Sequence, residues 1–137
     1  MRYTTVVLAF ACLLLATASS AQSGPIRVGG WSLRMNGELK QGNQYFGPCP
    51  VDLKFGWGLI PAVPTRIAYQ FARSDGGHSS HPLFADLIRA GGSTPVYDDW
   101  KLGANTPQFM NYSGWVNLII EGSPPVEQKI SFTIHCG

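Results

Sequence analysis

Residues 51–60 read Val-Asp-Leu-Lys-Phe-Gly-Trp-Gly-Leu-Ile, and this stretch decides the fold. Val51, Leu53, Phe55, Trp57 and Leu59 recur at every second position, with Asp52 and Lys54 between them. Successive side chains of a strand point to opposite faces, so the pattern predicts a strand with one apolar face. A helix would need spacings of three and four. Pro61 and Pro64 end the run, because proline cannot donate to a sheet ladder.

The same period extends in both directions. Upstream, Ile26 and Val28 begin a strand that Gly29-Gly30 interrupts, and Trp31, Leu33 and Met35 resume it on the shifted phase, as a bulge would allow. Asn36-Gly37 is a strong hairpin signal, returning Glu38 to Tyr45 as a short polar segment. Downstream, Ile67, Tyr69 and Phe71 alternate with Arg66, Ala68, Gln70 and Arg73, and Asp75-Gly76-Gly77 reads as a turn. Val96 to Leu102, Trp115 to Glu121 and Ile130 to Cys136 are further strands, with Pro124-Pro125 breaking the chain between the last two. Pro82 to Ala90 stays open: Phe84, Leu87 and Ile88 fit helical spacing, and a short irregular strand fits almost as well. The sum is seven or eight strands with turn signals at near-regular intervals, which predicts an all-β antiparallel sandwich.

At the N-terminus Arg2 precedes an apolar run, Val6 to Ala16, and then Thr17-Ala18-Ser19-Ser20-Ala21. That layout is expected of a secretory signal peptide, residues 1–21, cleaved to leave Gln22 and a single domain over residues 22–137. The run is too short to span a bilayer, and no later stretch is apolar enough, so no membrane span is expected in the mature form. All ten Pro and all sixteen Gly lie after Ala21, as suits short strands joined by many turns.

Lys and Arg number ten against eight Asp and Glu, and loss of Arg2 leaves nine against eight. No three like charges are consecutive. Binding nucleic acid by counterion release needs clustered cations, so nucleic acid is not an expected partner. Of the three cysteines, Cys12 would leave with the leader. Cys49 and Cys136 then form an even pair in an exported protein, where disulfides persist, and a bond between them is expected.

Gly47-Pro48-Cys49-Pro50, Phe55, Tyr69, Arg73-Ser74-Asp75-Gly76, Trp100-Lys101-Leu102, Gly114-Trp115, Phe132 and the terminal Cys136 occur in an order that resembles a small immunoglobulin-like domain of secreted bacterial proteins. The resemblance covers roughly Tyr45 to Cys136. It implies an immunoglobulin-like sandwich whose second strand starts at the pole where the last strand ends, which makes Cys49 and Cys136 neighbours. The family carries no assigned activity, so the resemblance implies no catalytic residue. The chain departs from it at Gly56-Trp57-Gly58 and in an insertion over Asn105 to Asn111.

Three constellations bear on chemistry. His78 and His81, near Asp75 and Asp86, could hold a metal in a small hydrolase, but two histidines in a polar loop fix no geometry. Arg73-Ser74-Asp75-Gly76 reads as a turn, and no glycine-flanked serine sits in a nucleophile motif. The aromatics say more. Phe55, Trp57, Tyr69, Phe71, Trp100 and Phe132 share phase with core aliphatics. Trp115 and Tyr97 fall out of phase, and Phe109, Met110 and Tyr112 sit in an expected loop. Trp115, Tyr97, Tyr112 and Phe109 are therefore the candidate binding residues, since exposed aromatic rings stack on sugars and anchor protein interfaces. The expected function is a secreted (extracellular or periplasmic) non-enzymatic binding or structural module with no cofactor. Its partner would be a protein or polysaccharide of the cell envelope or medium. Carbohydrate binding through surface aromatics is the second expectation and metal-dependent hydrolysis a remote third.

Overall fold

The computed structural model describes residues 25–79, 81–103 and 107–137. The expected leader lies outside the described residues, as do residues 105–106 of the expected insertion. Among the described residues nine strands follow one another: β1 (Ile26–Met35), β2 (Glu38–Leu39), β3 (Gln44–Gly47), β4 (Val51–Pro61), β5 (Thr65–Arg73), β6 (Leu83–Leu87), β7 (Thr94–Leu102), β8 (Asn111–Ile120) and β9 (Val126–Cys136). They make two sheets packed as a sandwich, one ordered β2-β1-β4-β7 and the other β3-β9-β8-β5-β6. Among the described residues no helix is long and apolar enough to cross a membrane.

β4 is the central strand of the first sheet, and its alternation is the reason. Val51, Leu53, Phe55, Trp57 and Leu59 are all buried against Val116, Leu118, Ile130, Phe132 and Ile134 of the second sheet. The register of β1 on β4 shifts between Val28 and Gly30, the bulge that the double glycine predicts.

Several local readings change, and the one left open is resolved. The segment after Asn36-Gly37 is not one polar return. β2 pairs with β1 for two residues. The chain then crosses to the other sheet through a 3-10 turn, Gln41–Asn43, in which Gly42 and Asn43 have positive φ (68° and 52°). There β3 runs parallel to β9, so one pairing of the sandwich is not antiparallel, and Tyr45 enters the core. The ambiguous segment is strand β6, with Leu87 buried and Phe84 and Ile88 exposed, because its inward positions follow period two. β8 begins at Asn111, so Tyr112 lies on a strand and not in a loop.

Arg73, expected on the polar face, shares the inward phase of Phe71. Its guanidinium donates to both Asp98 carboxylate oxygens (3.2 and 3.0 Å) and to the Asp99 carbonyl (2.9 Å), and it lies 5.0 Å over Trp100. A paired, two-pronged ion contact thus ties β5 of one sheet to β7 of the other, and bidentate geometry makes it stronger than a single contact. Next to it the Ser74 hydroxyl accepts from the Trp115 amide (3.0 Å) and bonds the Tyr112 hydroxyl (2.5 Å). The Arg-Ser-Asp-Gly turn is therefore a structural joint.

Cys49 and Cys136 are bonded, with Cα atoms 5.4 Å apart across a separation of 87 residues. The bond joins the approach to β4 to the end of β9, and so joins the two sheets at one pole. Gly103 packs directly on it with φ +85°. A Cβ added there would lie 2.7 Å from Cys49 Cβ and 2.8 Å from Cys136 Sγ. Gly103→Ala combines a left-handed backbone with this overlap. It is expected to destabilise by about 1–3 kcal/mol in urea denaturation. A change below about 0.5 kcal/mol, the level of an ordinary surface site, would show that the glycine does not cover the bond.

Candidate binding surfaces

Outward residues of β1, β4 and β7 align in cross-strand rows: Gly30–Gly58–Pro95, Ser32–Gly56–Tyr97 and Arg34–Lys54–Asp99. Glycines in the first two rows leave the middle of this face low. The result is a shallow groove of ≈ 360 Å³ floored by Gly30, Gly56 and Gly58, with Tyr97 on its β7 side and Trp31, on the core-facing phase of β1, at its β1 margin. Trp31 is 50% exposed and Tyr97 51%. The Tyr97 ring lies over Gly56, where a Cβ would come within 3.0 Å of it, and the Lys54 ammonium sits 4.6 Å above the same ring. Ser32 and Ser93 bring hydroxyls to the groove, and among the described residues no charged one lines it.

Trp31 was not among the expected binding residues. Its phase with Leu33 and Met35 points to the core, and it is the cross-strand partner of buried Trp57. It is half exposed because β2 flanks β1 only at Arg34 and Met35, leaving the rest of β1 as a free edge. The signal in the sequence was the double glycine beside it, since bulges favour sheet edges.

The four expected aromatics do not converge. Tyr97 belongs to the groove. Trp115 faces outward on the other sheet, half-buried, with the Lys129 ammonium 4.2 Å over its ring, beside a shallow depression that includes Gly42, Ser113, Ser131 and Thr133. Phe109 and Tyr112 pack edge-on to each other (5.0 Å) and to Trp100 (6.5 and 6.2 Å) at the margin of the core. Those two rings cover the pole near the disulfide. Phe46, also unanticipated, is exposed and stacks on His135 at 4.6 Å, whose Nδ1 lies 3.0 Å from Asn111 Oδ1.

The histidine loop is dispersed in its contacts. His78 Nδ1 is at 3.0 Å from the Ser79 carbonyl, Asp75 accepts from the Gly77 amide (2.8 Å), and Asp86 faces Arg66 at 4.0 Å. Among the described residues no three His, Cys, Asp or Glu side chains converge as metal ligands. The double change His78→Ala, His81→Ala is expected to leave stability within about 0.5 kcal/mol of wild type, as at exposed sites. Stoichiometric zinc in the purified protein, lost in that variant, would contradict this.

No protein-family model matches the chain, and no curated protein matches it in sequence. The surfaces are therefore read from their chemistry.

Proposed function

We propose that the chain is an exported, non-enzymatic binding module of immunoglobulin-like connectivity whose ligand seats in the glycine-floored groove beside Tyr97. The connectivity is supported by the way β4 leads across to β5, β6 back to β7, and β7 across again to β8, while β8 and β9 form a hairpin. Export is supported by the leader-like first 21 residues and by a disulfide, which persists in oxidising compartments. The observation that carries the binding reading is the half-exposed Tyr97 ring over a floor of glycines. Exposed Tyr rings beside a concave surface are among the residues that anchor interfaces.

Gly30→Leu supplies the test. A Cβ at Gly30 meets nothing within 4 Å, so the larger side chain fits the fold and obstructs the groove. Residues 22–137, immobilised and exposed to envelope fractions and polysaccharides of the producing cell, are expected to retain a ligand. Gly30→Leu should reduce that retention at least tenfold, and Trp115→Ala on the opposite face should not. Undiminished retention by folded Gly30→Leu would remove the groove from the account.

Carbohydrate binding is a second reading, favoured by the Ser32 and Ser93 hydroxyls over the glycine floor beside Tyr97. Flat aromatic walls pack against the apolar faces of pyranose rings, while hydroxyls serve their polar edges.

A further inference from the structure

We propose that the groove takes an acidic polysaccharide, a polymer of uronate residues, with neutral ring faces against Tyr97 and the glycine floor and carboxylates toward Lys54 and the flanking arginines. This assignment rests on the carbohydrate reading of the groove and adds the charge of the ligand.

The distribution of unpaired cations carries it. Among the described residues, five basic side chains have no carboxylate within 4.0 Å: Arg27, Arg34, Lys54, Arg89 and Lys129. Four of them surround this groove. Arg27 is the cross-strand partner of groove-lining Ile60. Arg34 and Lys54 form the row beside Ser32 and Gly56. Arg89 donates to the carbonyl of groove-lining Ser93 at 3.4 Å. Among the described residues the outward carboxylates of β4 and β7 are Asp99, cross-strand from Lys54, and Asp52, which is engaged by Lys101 at 3.6 Å.

The groove is thus uncharged along its floor and cationic at both ends. That suits an anionic chain whose middle is a flat, hydroxylated ring. Charge complementarity of this kind sets specificity and association rate and weakens with salt. A nucleic acid would call for cations clustered on successive phosphates, and these are spaced singly. An acidic peptide would leave the glycine floor without a ring to fill it.

Intrinsic fluorescence titration of residues 22–137 with polygalacturonate oligomers tests the assignment. The same oligomers methyl-esterified, neutral dextran, polyglutamate and single-stranded DNA serve as competitors. Polygalacturonate is expected to bind with an affinity that falls as salt rises, and its methyl ester at least tenfold more weakly. Lys54→Gln should weaken the acid polymer about three- to tenfold and leave the ester unchanged. Gly30→Leu should abolish both. Circular dichroism confirms that each variant is folded.

Equal affinity for acid and ester overturns the anionic assignment and leaves the carbohydrate reading standing. Stronger binding of polyglutamate or DNA overturns both. Acid-polymer binding that survives Gly30→Leu and is lost in Lys129→Gln moves the site to the Trp115 face and overturns the groove reading as well. No binding to any uronate polymer overturns the assignment, and the capture experiment then decides the groove independently.

Discussion

Replacing Cys136 by alanine is expected to lower stability by about 2–5 kcal/mol. The bond closes a loop of 87 residues, nearly the whole domain. The chain-entropy treatment assigns a loop of that length about 4–5 kcal/mol, an upper figure because residual structure in the unfolded chain reduces it. Folded domains of this size are stable by only about 5–15 kcal/mol, so the loss is a large share. The folded state should still form its ladder at that pole. The Cys136 amide donates to the Met110 carbonyl (2.8 Å) and the Gly137 amide to the Gly47 carbonyl (3.0 Å), and neither contact involves sulfur. Urea denaturation of the oxidised protein, of Cys136→Ala and of the double Cys49→Ala, Cys136→Ala variant measures the difference. The double variant removes any contribution from a leftover thiol. Two free thiols titrated in native, oxidatively purified protein would show that the pairing does not form in solution.

The architecture was legible because it rests on short-range alternation. β4 buries the five residues that its sequence presents at every second position, and the glycine bulge in β1 falls where the phase of the apolar residues slips. The cysteine pairing was legible from the cysteine count and the expected export. Long-range facts were not. Nothing local in Gln44-Tyr45-Phe46-Gly47 says that it will leave the first sheet and run parallel to β9. That depends on the positive φ of Gly42 and Asn43, which turns the chain toward the other layer. Arg73 escaped for a related reason. A charged residue looks like a polar-face residue until a second strand places Asp98 opposite it, also on its inward phase.

The candidate site was half legible. Tyr97 was recognised because it falls out of phase with Val96 and Trp100. Trp31 has the phase of a core residue, and only the absence of a flanking strand exposes it. Tyr112 failed in the opposite direction: a strand beginning at Asn111 put it inward, beside Phe132 at 6.0 Å. Alternation reads which side of a strand a residue takes, but not whether another strand or sheet covers that side.

Trp31 and Trp57 turn that distinction into a measurement, because they are cross-strand partners of the same residue type. Trp57 is 1% exposed and stacks on Phe71 at 5.3 Å and Phe55 at 6.3 Å. Trp57→Ala removes the largest fully buried side chain of the core. It leaves a cavity that the flanking rings can only partly close, and the expected loss is about 3–5 kcal/mol. Trp57→Phe should lose less than half of that. Among the described residues no acceptor reaches the buried Trp57 Nε1. A buried donor without a partner costs about 1–3 kcal/mol, and phenylalanine removes it, offsetting part of the cavity. Trp31→Ala gives up only a half-exposed ring at a sheet edge, with an expected loss below about 1.5 kcal/mol, about half the value of full burial or less. Thermal and urea denaturation of the three variants test this order. Equal losses from Trp31→Ala and Trp57→Ala would mean that Trp31 is held in the core in solution and is not half-exposed at the sheet edge.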